Sequence, residues 1–256
     1  MSTLRLAIRP SRMVVKAASR IAMSVRQRNM AIRVFPLDEP GGRIEGKPVD
    51  RIVVLGDWLA IGWGVATYGL SLGGCFARGH ALRAGRGVEW SAVAVPGFRM
   101  AGVPRTVSES RDAVDGADIA VLALGAVDTM AFTSARTWRR HLTSAIDALL
   151  AGMRDDAVIV LAAIPPLDNL GTVSRFVARE LGLQVRMLNG ITAEVAAGHP
   201  RCIMVDFPPA LAEKPWEAES EDLSFSRIYM VWSAEMVSAL ARERELPEAF
   251  PRLSGR

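Results

Sequence analysis

Histidine is scarce in this sequence: His80, His141 and His199 are the only three, and none follows His199. Cysteine is scarcer still. Cys75 and Cys202 lie far apart and match no disulfide or metal-ligand spacing, which points to a reducing, cytoplasmic setting without zinc or thiol redox chemistry. No run of about 20 apolar residues is present, so no membrane-spanning helix is expected. Gly62-x-Gly64 lacks the Lys-Ser/Thr of a phosphate-binding loop, and no cofactor or metal motif stands out elsewhere. There is also no internal repeat and no low-complexity tract.

Acidic residues are missing from the first 37 positions; Asp38 is the first. Eight basic residues precede it (Arg5, Arg9, Arg12, Lys16, Arg20, Arg26, Arg28 and Arg33), so the remainder carries 23 basic against 27 acidic residues. The net charge of +4 therefore belongs to the N-terminal extension. The rest of the chain, at −4, does not have the charge of a nucleic-acid binder.

Within residues 1–35, Pro10-Ser11 resembles a helix start, and Val14, Ala18, Ile21 and Val25 recur at three- and four-residue spacing. Arg12, Lys16 and Arg20 fall on another face. Lys16 and Arg20 also interrupt the apolar run that a secretory signal requires. Such a helix can lie on an anionic membrane surface through Arg5, Arg9, Arg12, Lys16 and Arg20. It can equally pack on its own domain or on a partner.

At 256 residues, with 50% hydrophobic and 23% charged residues, the chain has room for one globular domain of about 200 residues plus this extension. Residues 36–48, rich in Pro and Gly, read as a linker. The main domain is expected over 49–246, and 247–256 form a tail. Ile52–Leu55 is a continuous aliphatic run, as in a parallel strand buried on both faces, broken at Gly56-Asp57. Further strands are expected over 88–95, 119–124, 157–164 and 202–207. Helices are expected over 103–114, 134–153, 174–197 with a break at Gly182, and 225–244, with a loop and then a helix within 65–84. This alternation implies a parallel sheet with right-handed crossovers.

The segment Arg51-Ile52-Val53-Val54-Leu55-Gly56-Asp57-Trp58-Leu59-Ala60 resembles the first block of the SGNH (GDSL) hydrolases. Val121-Leu122-Ala123-Leu124-Gly125-Ala126-Val127-Asp128 resembles their Gly-x-Asn-Asp block, and Ala162-Ala163-Ile164-Pro165-Pro166-Leu167 their next strand and double-proline turn. Tyr229-Met230-Val231-Trp232-Ser233-Ala234-Glu235 is similar to the helix after their Asp-x-x-His block. The resemblance implies a flavodoxin-like αβα sandwich with a five-stranded parallel sheet of order 2-1-3-4-5. It also implies ester hydrolysis by a serine, a histidine and an oxyanion hole.

The signature residues are degenerate. Trp58 stands where the family has its serine, Val127 where it has an oxyanion-binding asparagine, Leu223 where it has the histidine and Ser220 where it has the carboxylate. Gly97 alone is retained. The candidate pocket is thus Asp57, Trp58, Gly97, Val127 and Asp128, with no intact catalytic set, no metal and no cofactor. The three histidines read as plain surface residues. Asp57 and Asp128 read as structural carboxylates rather than an acid–base pair.

The expectation is a pseudoenzyme that binds a protein partner, a lipid or an acyl ligand, cytoplasmic and associated with a membrane surface. Two alternatives stand beside it: an esterase or acyltransferase with a non-standard site, and a structural subunit of a protein complex.

Overall fold

The computed structural model describes residues 35–168, 174–212 and 224–245. The expected N-terminal helix, Ser220, Leu223 and the 247–256 tail lie outside these residues. In chain order the elements are β1 (Gly41–Ile44), β2 (Val49–Gly56), α1 (Leu72–Ala84), β3 (Gly87–Ala94), α2 (Val103–Glu109) and α3 (Arg111–Val114). Then follow β4 (Ile119–Ala123), α4 (Ala126–Met130), α5 (Ala135–Gly152), β5 (Val158–Ala162), α6 (Arg175–Ala197), β6 (Cys202–Val205), α7 (Pro209–Ala212) and α8 (Ser224–Glu245).

The six strands form one sheet in the order β1-β3-β2-β4-β5-β6. From β2 onward every pairing is parallel, and β2 to β6 alone reproduce the order 2-1-3-4-5. Helices flank this sheet: α1 packs against α8, and α5 packs against α2 and α6. Val53, Val54 and Leu55 of β2, and Ile119, Ala120 and Val121 of β4, are wholly buried. Burial on both faces explains why these strands read as unbroken apolar runs rather than alternating ones.

One difference from the sequence reading lies in the stretch 36–48. Residues 41–44 are not linker but strand β1, paired antiparallel with β3 from Gly41 opposite Ser91 to Ile44 opposite Val88. The glycines that suggested flexibility serve close approach: a Cβ on Gly41 would stand 2.6 Å from the Trp90 carbonyl oxygen. A second difference is that α6 continues unbroken through Gly182. Leu181, Gln184 and Val185 are buried around it, and that packing outweighs the roughly 1 kcal/mol helical cost of one glycine. A third is that the helix expected over 103–114 is two helices, divided at Ser110.

The helix starts follow their caps. The hydroxyl oxygens of Ser71, Ser134 and Ser174 accept the backbone N–H of Gly74, Thr137 and Val177, satisfying one otherwise orphaned donor at each N-terminus. The Trp138 indole N–H on α5 donates to the Thr192 hydroxyl on α6 at 3.0 Å, so the largest side chain between those helices is buried with its polar atom paired. Among the described residues no helix is long and apolar enough to cross a membrane.

Candidate functional site

In an open parallel sheet, ligands gather at the carboxyl ends of the strands. Here β2 ends on Gly56, where a Cβ would lie 2.3 Å from the Ala123 carbonyl oxygen of β4; glycine lets the two strand ends close on each other. Asp57 N–H then donates to that same oxygen at 3.2 Å. The chain folds back at once, with the Ala60 and Ile61 N–H groups reaching the Asp57 carbonyl and the Trp63 N–H reaching that of Trp58.

Asp57 is 2% exposed, and its Oδ1 accepts the Leu59 N–H at 3.0 Å. Burial pushes its carboxyl up to about 7, the Leu59 bond opposing the shift only in part. Desolvation disfavours the charged form, and neutral backbone donors do not replace a hydration shell. Tyr229, on α8, lies near enough for its own ionisation to be suppressed by burial and then by Asp57. Its hydroxyl donates to the Trp63 carbonyl at 2.8 Å, fastening α8 to the loop after β2.

Trp58 is 7% exposed. Its ring meets Phe98 edge-on, with centroids 5.5 Å apart and planes at 69°. Phe98 has φ 54°, directly after Gly97 at φ 69°. A non-glycine residue in this left-handed region costs on the order of 1–2 kcal/mol and persists only where its surroundings hold it. Here the contact with Trp58 is part of that restraint.

Asp128 is 1% exposed and already occupied. Its Oδ2 accepts the Met100 N–H at 3.0 Å and its Oδ1 the Thr133 hydroxyl at 2.9 Å, while the half-exposed Arg99 guanidinium stands 3.9 Å away. It thereby ties the turn after Gly97 to α4 and to the start of α5. Val127, beside it on α4, is half-buried against the core. The structure thus joins Trp58 to the Gly97-Phe98 turn, and that turn to Asp128 through Met100. The positions of Ser220 and Leu223 lie outside the described residues.

The histidines correct one expectation. His80 is not a surface residue: it is 4% exposed, and its Nε2 stands 2.7 Å from Asp50 Oδ2, while Arg86 Nε donates to Asp50 Oδ1 at 2.8 Å. Asp50 is the second residue of β2. At about 3.3 Å per strand residue, it stands roughly 23 Å from Asp57 at the other end. His199 precedes β6, at that same amino-terminal end of the sheet, and His141 lies half-buried on α5. Periodicity could not reveal the His80 pair, because its two members are 30 residues apart and meet only when α1 packs on the sheet. Among the described residues no group of three or more His, Cys, Asp or Glu side chains could hold a metal.

No protein-family model matches the sequence, and no curated protein matches it. Solved structures do match. A G-D-S-L family lipolytic protein from Veillonella parvula superposes with a TM-score of 0.56 at 18% identity, over 76% of this chain and 99% of that one. An extracellular lipase from Streptomyces rimosus gives 0.52 at 20% identity, over 76% and 99%. A family two carbohydrate esterase from Cellvibrio japonicus gives 0.55 at 14% identity over 79% of this chain, which spans 63% of that protein's length. The chain has the fold of the SGNH (GDSL) hydrolases.

Proposed function

We propose that this domain keeps the SGNH hydrolase fold without its hydrolytic chemistry, and serves as a pseudoenzyme with a binding or scaffolding role at a membrane surface. One observation carries the reading: the residue that follows Gly56-Asp57, at the strand end where the resembled family has its serine, is a tryptophan sunk into the core against Phe98. An indole has no group that can attack a carbonyl, and a ring held in place by its neighbours fills the space a substrate would need.

Further support comes from the other roles that acyl transfer requires. His80 is engaged by Asp50 at the far end of the sheet, Val127 has no side-chain donor for an oxyanion, and no histidine occurs after His199. The apolar contact of Trp58 with Phe98 at that strand end suits a lipid or a protein surface lying against it. The basic N-terminal segment suits anionic headgroups, since each cation near such a surface contributes on the order of 1 kcal/mol.

A fluorophosphonate probe tests the first part, because it labels only a serine activated by a base and an oxyanion hole. No labelling is expected, and stoichiometric labelling at any serine would overturn the reading. For the second part, sedimentation with phosphatidylserine-containing vesicles should require residues 1–34 and weaken as salt is raised. Equal sedimentation of full-length and truncated protein would remove the membrane role.

A second reading, an esterase or acyltransferase with a non-standard site, is favoured by one feature: burial of Asp57 at the carboxyl end of β2 pushes its carboxyl up to about 7, and shifted acidities of this kind cluster at working sites. Ester turnover abolished by Asp57→Asn would support it.

A further inference from the structure

The chain enters the domain at the carboxyl end of the sheet. β1 runs against β3 from Gly41 opposite Ser91, and the Ala92 N–H donates to the Pro40 carbonyl at 2.7 Å, so residues 35–39 lie beyond, on the side where β2 ends. There they are fastened to the loop that follows β2. Pro36 is buried: a Cβ on Gly62 would stand 2.8 Å from its Cγ and 3.2 Å from the Cβ of Ser71. Both carboxylate oxygens of Asp38 accept the Tyr68 N–H, at 2.9 and 3.1 Å. Gly62 belongs to the same turn as Trp58, whose carbonyl accepts the Trp63 N–H.

This seam between 35–38 and 68–71 holds apolar side chains out of the domain. Leu37 is 99% exposed, and Phe35 and Leu70 are exposed beside it. A single exposed leucine is ordinary, but three of the seven large apolar side chains exposed among the described residues are gathered here. Cations gather at the same place. The guanidinium of the exposed Arg78 donates to the Gly69 carbonyl, and residues 1–34, which join the seam at Phe35, carry eight basic and no acidic side chains. Asp38 and Glu39 oppose them with only two negative charges.

We infer that the carboxyl end of the sheet faces the membrane, with Phe35, Leu37 and Leu70 as the apolar seat by which the domain rests on an anionic lipid surface. The inference builds on the membrane role proposed above and adds to it an orientation and a contact surface. Interfacial binding combines the burial of apolar side chains among the headgroups with the attraction of cations to anionic lipid, and both are supplied at this one seam. The loop that carries Trp58 then lies on the lipid side of the domain. α1 runs back from Leu72 toward the opposite end, where His80 meets Asp50, and the exposed Leu82 stands ten residues along it, roughly 15 Å from the seam.

Sedimentation of the full chain with phosphatidylserine-containing vesicles tests it. Leu37→Asp and Leu70→Asp each remove an apolar side chain from the seat and add a charge of the headgroups' own sign, and each should weaken binding by about tenfold or more. Leu82→Asp makes the same change at the far end and should leave binding as it is. Cys75 and Cys202 are both buried, so an environment-sensitive dye can be directed to Leu37→Cys, where vesicles should shift its emission to the blue, and to Leu82→Cys, where they should not. Leu37 is exposed almost completely, so circular dichroism of its variants should match the wild type. A wild type that does not sediment removes the membrane role and the orientation together. Sedimentation that persists undiminished in Leu37→Asp and Leu70→Asp, or that falls equally in Leu82→Asp, overturns the orientation alone. A dye at position 37 that is already blue-shifted without vesicles also overturns it, because the basic segment or a second copy of the chain would then cover the seat.

Discussion

A buried aspartate stands near each end of β2: Asp50 is its second residue and Asp57 follows its last. Asp50 and Asp57 are both 2% exposed, yet their acidities move in opposite directions. For Asp50, burial raises the pKa, but the bonds to His80 and Arg86 and their charges outweigh it, and the carboxyl falls below its ordinary value. For Asp57, burial is opposed only by backbone N–H groups, those of Leu59 and of Asp57 itself, and the carboxyl rises to about 7. Partners, not burial, decide whether a sequestered carboxylate stays charged. The functional lesson follows directly: the chain does contain a buried aspartate–histidine pair, but it stabilises the end of the sheet away from the candidate site, and the carboxylate at the site has no imidazole to orient.

Removing the paired aspartate should have the largest effect. Asp50→Ala leaves His80 and Arg86 buried or half-buried without their anion, and losing one member of a buried ion pair costs about 3–5 kcal/mol. Urea unfolding at neutral pH measures it; a change below about 1 kcal/mol would mean that the cluster contributes little to stability. Because the Asp50 pKa is lowered on folding, the wild-type contribution is present above the unfolded value of 3.8 and disappears as pH falls below it. The acid limb of the stability curve should flatten in the variant.

Asp57→Asn should act in the other direction. The native state keeps its proton up to about 7 while the unfolded chain loses it near 3.8, so the Asp57 contribution is fully present below 3.8 and is lost as pH rises to about 7. Relative to the wild type, Asp57→Asn should therefore gain stability by up to about 4 kcal/mol between pH ~4 and pH ~8. The acceptor for the Leu59 N–H is retained. A stability difference that does not vary with pH would show that Asp57 is ionised in the folded protein.

The fold was legible in the sequence to the extent that burial writes itself into composition. Ile52–Leu55, Ile119–Leu124 and Ala157–Ile164 are continuous aliphatic runs because both faces of their strands are covered, and the period of Trp138, Leu142, Ala145, Ile146 and Leu149 marks the inner face of α5. β1 escaped because its pairing depends on the glycines and prolines that otherwise signal a loop. The candidate site was legible as a set of residue types, Trp58 and Val127 above all. What those residues touch was not: the Phe98 contact depends on a left-handed turn, and the Asp128 bonds join residues 28 and 5 positions away. His80 was misjudged because helical position alone does not say which face meets a partner.

The proposal that Trp58 is a structural plug, in a site without a base or an oxyanion donor, is tested most directly by Trp58→Ser. The substitution installs the family's nucleophile and removes the ring, so a merely blocked enzyme would begin to turn over. A serine without a base remains protonated and weakly nucleophilic, and catalytic groups that act as a unit gain little from one member alone. Hydrolysis of nitrophenyl acetate and thermal denaturation should be followed on the same preparation. The prediction is turnover at the buffer rate with a stability loss of about 3–5 kcal/mol from the emptied core. Turnover well above background with an unchanged melting temperature would contradict it and make Trp58 a gate over a competent site.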